Sequence, residues 1–469
     1  MDQRAGVLMA AGRKSRRSMA LEAPIAIISH SHPSVSKGGA EIAAYTLFKG
    51  LVSLGTNAIF VGACPSDSRS RLDLGSQREH AIIYEPSGYD HFYHLALPRL
   101  WQELGAILQT HNVELVNFHH YLHFGINSLR RIARDQAMKV VVTFHEFLAI
   151  CHHHGQMVTR PGQLLCKAAS PASCTSCFPA HSPQQFKLRR ELFLDTFGIV
   201  GGFVSPSRFL ADRYAAWGLP RERLTVIENG LTQTAPDAPQ RTHLAADRWV
   251  FGYFGQITPF KGVDTLLQAA EIIARSPDLA ARIAIRIHGN FVGQPEEFIA
   301  RLTAAVERHP FLTYAGPYEN ALAGDLMGEC DYVVVPSRWW ENSPVVIQEA
   351  FAVRRPVVCS GIGGMAEKVT DGVSGLHYRI GDPDDLVRVL TRAADGALFT
   401  KLQAGLPEVA DGQRMAEAYL GLFDRVLSDT AIAEIRPLEA EAANAPRRPA
   451  RTRLAGKRDA DSALQRAQL

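Results

Sequence analysis

Two carboxylates eight positions apart, Glu341 and Glu349, flank a Ser-Pro in the stretch SRWWENSPVVIQEAFA (337–352). Ser343 suits the N-cap of a helix and Pro344 its first position, where a missing N–H costs nothing. The amides of Val345 and Val346 would then face outward at the positive end of the helix dipole, ready for an anion. Glu341, ahead of the helix, is placed to meet a neutral polyol lying over it. Glu349, further in, can accept two hydroxyl hydrogens together, the geometry of a ribose 2′,3′-diol. A plainer reading leaves Glu341 as a complement to the dipole and Glu349 in solvent, and the stretch alone does not decide between them.

Other polar signals fall in turns after apolar runs. In FGQITPFKGVDTLL (254–267), Lys261 stands at a helix entry where its ammonium can neutralise a diphosphate, and Gly262 gives the backbone room to approach. In SKGGAE (36–41), Gly38 and Gly39 open a helix, so their N–H groups can approach phosphate. His145 in TFHEF lies just past a buried strand, and Gly363, Gly364 and Glu367 follow another. Each has an ordinary structural alternative: a surface loop, a tight turn, a capping histidine, close loop packing. Together they describe a site for a diphosphate joined to a polyol, which a sugar nucleotide fits. The GxGxxG of dinucleotide enzymes is absent, which disfavours an NAD oxidoreductase.

These residues need a scaffold that gathers loop ends. Short apolar runs alternate with helical periodicity: 24–32, 57–63, 113–120, 139–146, 201–207 and 224–230, then 249–255, 284–289, 311–316, 331–337 and 356–360. The pattern predicts an α/β fold of two doubly wound, Rossmann-like domains, 24–230 and 249–412, facing a cleft. Residues 231–248, polar with two prolines, are the expected linker, and the helix 413–428 closes the first domain. Residues 1–23 read as a flexible basic segment and 436–469 as a disordered tail. With 50 Lys and Arg against 47 Asp and Glu, the net charge of +3 gives no reason to expect nucleic acid as a partner. The first 23 residues lack the apolar core of a signal peptide, and no apolar run reaches the ~20 residues of a spanning helix. The odd count of seven cysteines favours a reducing compartment, so a cytoplasmic location is expected, at the inner face of the membrane if the acceptor is lipid-linked.

The Glu-x7-Glu spacing of Glu341 and Glu349, the WENSP wording, KG at 261–262, GGAE at 38–41 and SPSRF at 205–209 resemble the retaining GT-B glycosyltransferases of family 4, over roughly residues 24–430. That resemblance implies a hexose donor such as a UDP- or GDP-sugar and a glycan or lipid-linked acceptor. It implies that Glu349 binds the donor ribose, that Glu341 and backbone amides after it hold the donor-sugar hydroxyls, and that Lys261 pairs with the diphosphate. Gly38 and Gly39 would approach that diphosphate, and His145 would lie by the sugar near the reacting carbon. Where the family has Arg this chain has Gln256, so one phosphate cation is missing. The implied mechanism retains configuration with no enzyme nucleophile and no catalytic metal, the departing diphosphate oxygen taking the acceptor's proton on the same face. Two other functions stay open on the residues: a glycoside hydrolase using Glu341 and Glu349 as its acid pair, and a non-catalytic sugar-nucleotide sensor.

Cys151, Cys166, Cys174 and Cys177, spaced Cys-x14-Cys-x7-Cys-x2-Cys beside HHH (152–154), can enclose a structural tetrahedral zinc; free thiols or a labile pair are the alternative. PQQFKLRRELFLDTF (183–197) interleaves apolar and basic residues, so peripheral membrane association stands beside an ordinary surface helix.

Overall fold

The computed structural model describes residues 21–96, 98–160, 162–232 and 248–429. Residues 1–20, residues 233–247 of the expected linker and the expected tail 436–469 lie outside these.

Thirteen strands form two sheets. In the first are β1 (Ile25–Ser29), β2 (Ala58–Pro65), β3 (Glu79–Tyr84), β4 (Leu115–Phe118), β5 (Lys139–Thr143), β6 (Gly202–Ser205) and β7 (Leu224–Val226), in the order β3-β2-β1-β4-β5-β6-β7. In the second are β8 (Trp249–Phe254), β9 (Ile283–His288), β10 (Leu312–Gly316), β11 (Tyr332–Val335), β12 (Val357–Ser360) and β13 (Gly375–Tyr378), in the order β10-β9-β8-β11-β12-β13. Every strand pairing among the described residues is parallel. Parallel strands are covered on both faces, which is why β1 (IAIIS) and β8 (WVFGYF) are buried at every position. Each sheet accordingly has a core on either side, one pair centred on Phe118, Phe203 and Ile27, Phe60, the other on Phe251, Tyr332 and Val333, Ile347.

The chain crosses between the domains twice, and the two crossings are tied together. Leu231 donates to the Ala410 carbonyl at 2.9 Å and accepts from the Gly412 amide at 3.1 Å. The closing helix, Gly412–Ser428, then lies against the helix Gly39–Ser53, its Met415, Tyr419 and Phe423 packing with Phe48 and Phe60 of the first domain. Tyr419 also reaches the β5 end, its hydroxyl 3.2 Å from Thr143 Oγ1. The helix Pro183–Gly198 is fixed just as firmly. Phe186 and Phe193 are buried, and Arg189 is buried too, donating to the carbonyls of Phe92, Leu148 and Ala149. Phe186 and Phe193 therefore face the core, Leu192 is half-buried and Leu188 is exposed. No helix among the described residues is long and apolar enough to cross a membrane.

Gly262 meets a demand of the fold itself. Its φ is +80°, and a Cβ there would stand 1.9 Å from the Pro336 carbonyl oxygen. The loop after β8 thus rests directly on the backbone after β11, with no side chain between. Gly262→Ala is expected to cost about 1–3 kcal/mol of stability through strain and the clash. A lowered urea midpoint would show this, and an unchanged midpoint would contradict it.

Candidate functional site

In each sheet the strand order reverses once, between β1 and β4 in the first and between β8 and β11 in the second. Open α/β sheets bind ligands outside the carboxyl ends of the strands at such points. Gln256 and Lys261 follow β8, and Glu341 follows β11. Facing them, Gly38 and Gly39 follow β1, His119 follows β4 and His145 follows β5.

The two sides of the second switch point are joined by an ion pair. Lys261 Nζ donates to Glu341 Oε1 at 2.7 Å, and the same oxygen accepts from Ser337 Oγ at 2.7 Å and Trp339 Nε1 at 2.8 Å. Burial alone would raise the Glu341 carboxyl; the Lys261 charge and these hydrogen bonds outweigh it and hold the group below the usual carboxylate range. Glu341 is therefore ionised at neutral pH. Lys261 also lies 5.2 Å from the Trp339 ring centroid, and that ring stacks on Phe260, so the ammonium is positioned from two directions.

The helix after this loop runs Val345–Ala352, with Pro344 as its N-cap at φ −65° and ψ 115°. Ser343 does not cap it, contrary to the sequence expectation. The extended ψ of Pro344 starts the helix one residue later, and Ser343 Oγ is left buried with no partner among the described residues. The amides of Val345 and Val346 find no acceptor there either, so three neighbouring donors are left without partners among the described residues. The Glu349 carboxylate, on the same helix, has no hydrogen bond or ion pair with any described residue. Burial pushes its carboxyl up to about 7, and its charge is felt by Tyr318. A half-buried acid without a partner is costly, and a ligand hydroxyl pair would relieve it.

Across the cleft the first domain presents histidines. His145 Nε2 lies 3.0 Å from His119 Nδ1, the rings stacked at 5.1 Å, and Tyr419 stacks behind His119. Burial first, then neighbouring histidines, lower His145 well below its ordinary value, and burial takes His119 to about 3. Both are neutral, so they offer hydrogen bonds rather than charge. His30 joins them, 4.4 Å from the His120 ring and 3.4 Å from Glu41 Oε1. Ser36 Oγ binds the same Glu41 oxygen at 2.6 Å, and Glu41 fills the space beside Gly38. Gly39, in contrast, would point a Cβ at nothing within 4 Å, leaving its backbone open to a ligand. Sequence reasoning found His145 but missed His30, His119, His120 and Glu41; the available signal was the paired histidines in SHSH and FHHY directly after apolar strands.

Several bonds close the seam around the cleft. Asn342 donates to the His145 carbonyl at 2.9 Å, Trp340 Nε1 to the Cys166 carbonyl at 3.0 Å and Gln348 to the Asn229 carbonyl at 2.6 Å. Glu367 belongs to this seam rather than to the donor side. Its two oxygens accept from the amides of Arg208 and Phe209, each at 2.8 Å, capping the helix Arg208–Trp217 from the other domain. Gly364 permits that approach, since a Cβ there would lie 1.9 Å from the Asn342 carbonyl oxygen. Gln256 is exposed beside Lys261, and it carries no charge.

Two facing α/β domains with ligand groups at both switch points define a GT-B glycosyltransferase architecture. The family model described as Glycosyltransferase Family 4 matches residues 37–233, and that described as Glycosyl transferases group 1 matches residues 248–395. The chain belongs to this glycosyltransferase family. Among curated proteins it is 30% identical over 247 residues to the D-inositol 3-phosphate glycosyltransferase of Thermobispora bispora, covering 49% of this chain and 56% of that protein. It is 32% identical over 189 residues to the Nocardioides protein of the same name, covering 38% and 41%. The match thus spans about half the length of such relatives. Among solved structures, sucrose-phosphate synthase from Thermosynechococcus elongatus aligns with a TM-score of 0.65 at 17% identity, over 86% of this chain and 99% of that one. Anabaena HepE in complex with UDP-glucose aligns with a TM-score of 0.59 at 17% identity, over 86% and 99%. At that identity these two show a shared fold.

The raised Glu349 carboxyl sets a pH dependence. The folded state holds the proton to about 7, against about 4.3 for a free side chain. The group's contribution to stability is therefore complete below the lower value and is lost as pH rises through the upper one. Glu349→Gln, measured by urea unfolding without ligand, is expected to gain about 1–3 kcal/mol on the wild type between pH 4.5 and 8. Parallel pH profiles for the two proteins would contradict the burial of this acid.

Proposed function

We propose that this protein transfers a hexose, with retention of configuration, from a UDP- or GDP-sugar to a hydroxyl of a glycan or lipid-linked saccharide. The observation that carries the reading is the unpartnered set on the Val345 helix: two free amides, the Ser343 hydroxyl and the Glu349 carboxyl, beside Lys261. In this reading the ribose diol takes Glu349 as its acceptor and the diphosphate takes the Val345 and Val346 amides. Lys261 turns from Glu341 toward the diphosphate, and Glu341 is freed to accept from the sugar hydroxyls. Gly39 approaches the phosphates from the opposite domain, and neutral His145 donates to or accepts from the sugar near C1.

The bond from C1 to the diphosphate oxygen breaks with its electron pair leaving on that oxygen. The acceptor oxygen bonds to C1 from the same face and passes its proton to the departing diphosphate. Positive charge for the leaving group comes from Lys261 and the backbone amides, so the chemistry calls for no catalytic metal. Gln256 supplies a hydrogen bond where a charge is usual, so either donor binding is weaker or another cation takes the place. The seven cysteines are unpaired thiols, which suits the cytoplasmic location where such donors would be met. The curated relatives are named for inositol 3-phosphate, which makes a cyclitol phosphate the competing acceptor class.

The ionisation split between Glu341 and Glu349 also resembles a glycosidase pair. However, three donors saturate Glu341 Oε1, which makes that atom a poor nucleophile.

A screen of UDP- and GDP-sugars is expected to raise the apparent melting temperature with one of them, by mass action. Lys261→Ala should lower kcat by about 10²–10³-fold, and Glu349→Ala should weaken donor binding by at least ~10-fold. Full activity in both variants would overturn the site. Release of sugar from a glycoside without nucleotide would establish the hydrolase instead, and donor binding with neither transfer nor donor hydrolysis would establish a sensor.

A further inference from the structure

The loop that follows β5 contains a short helix seated against the helix Pro183–Gly198. Pro171–Cys177 has a capping box at Ser170 but not one buried residue, and seven residues are too few to hold a helix in water unaided. Before it, a short hairpin pairs Val158 with Leu165, and Cys166 N–H donates to the Met157 carbonyl at 2.8 Å. Cys166 thereby sits at the hairpin's foot. Cys174 and Cys177 are one turn apart on the helix, and Cys151 lies in the turns that follow β5. All four thiols line a single cavity of about 50 Å³, whose other walls include Met157, Val158, Phe178 and Phe186. Cys151 lies within electrostatic range of Cys166 and Cys174, and Cys177 of both Cys166 and Cys174. None is in a disulfide.

We infer that Cys151, Cys166, Cys174 and Cys177 form a structural site for a soft divalent cation, Zn²⁺ in the first instance, which adds to the apolar packing of Ile150, Met157 and Val158 in this insertion. As the side chains stand, no three His, Cys, Asp or Glu among the described residues converge on a point that would hold an ion. The four thiols instead line one cavity, and binding requires them to converge to the ~2.3 Å of a zinc–thiolate bond. Each thiol that binds gives up its proton to solvent, and no oxidant or reductant is involved. Four thiolates complete a tetrahedron, so no position is left for substrate and the role is to tie the hairpin, the helix and β5 together. The tie reaches the cleft. The Cys166 carbonyl accepts from Trp340 Nε1 at 3.0 Å, and Trp340 directly precedes Glu341.

The test uses the full-length chain purified without chelator, its metal counted by elemental analysis. One zinc per chain is expected in the wild type and less than a tenth as much in the Cys174→Ser, Cys177→Ser double variant. Should that variant not fold, the wild type decides: mercurial modification of its thiols should release zinc in step, and all seven cysteines should alkylate in denaturant without reductant. Wild-type protein without stoichiometric metal, metal retained in a folded double variant, or a disulfide among the four would each overturn the inference. None of these readouts depends on the transfer reaction, so failure of the proposed function would leave this result standing.

Discussion

An ammonium and a carboxylate 2.7 Å apart, Lys261 and Glu341, span the switch point of the second sheet, and the rest of the site is arranged around them. Such a pair is weak as a stabiliser when it is mostly buried, because desolvation offsets most of the attraction. Its value here is electrical. It stores one positive and one negative charge in a nearly dry place, each positioned by neighbours, with Trp339 and Ser337 completing the shell of Glu341. In the proposed donor complex a dianionic ligand would offer Lys261 a stronger partner, and the carboxylate it releases would meet sugar hydroxyls rather than a phosphate.

The folding of the chain determines where this pair lies. Both sheets reverse order once, so each has a single crevice at its carboxyl edge, and the seam bonds bring the two crevices opposite one another. The seam also explains residues with no place in the chemistry. Glu367 caps a helix of the other domain, Gln348 bonds the Asn229 carbonyl, and the paired crossings at Leu231 and Gly412 hold the two connections side by side. A donor gripped by the second domain would thus meet the neutral histidines of the first.

Much of this was legible in the sequence because parallel strands buried on both faces read as unbroken apolar runs. The runs at 24–32, 249–255 and 331–337 each coincide with a central strand. β3 and β13 escaped notice for the converse reason. They are edge strands with only part of their residues buried, so EHAIIY and GLHY carry too little apolar signal to stand out. In the site, Glu341, Glu349 and Lys261 were legible because local wording carries them. The histidine cluster was not, since its members come from the ends of β1, β4 and β5 and meet only in three dimensions. Ser343 was assigned a local duty that the tertiary structure changed, since Pro344 took the cap, and Gly262 has a demand from the fold that its local wording does not show, the close approach of the Pro336 carbonyl.

A crystal structure of the protein with an intact UDP- or GDP-sugar tests the account most directly. The account predicts density between the two switch points, with the ribose on Glu349, the diphosphate against the Val345 and Val346 amides, and Lys261 moved from Glu341 to a phosphate oxygen. Density elsewhere, or a bound donor that leaves the Lys261–Glu341 pair intact and Glu349 unpartnered, would contradict it.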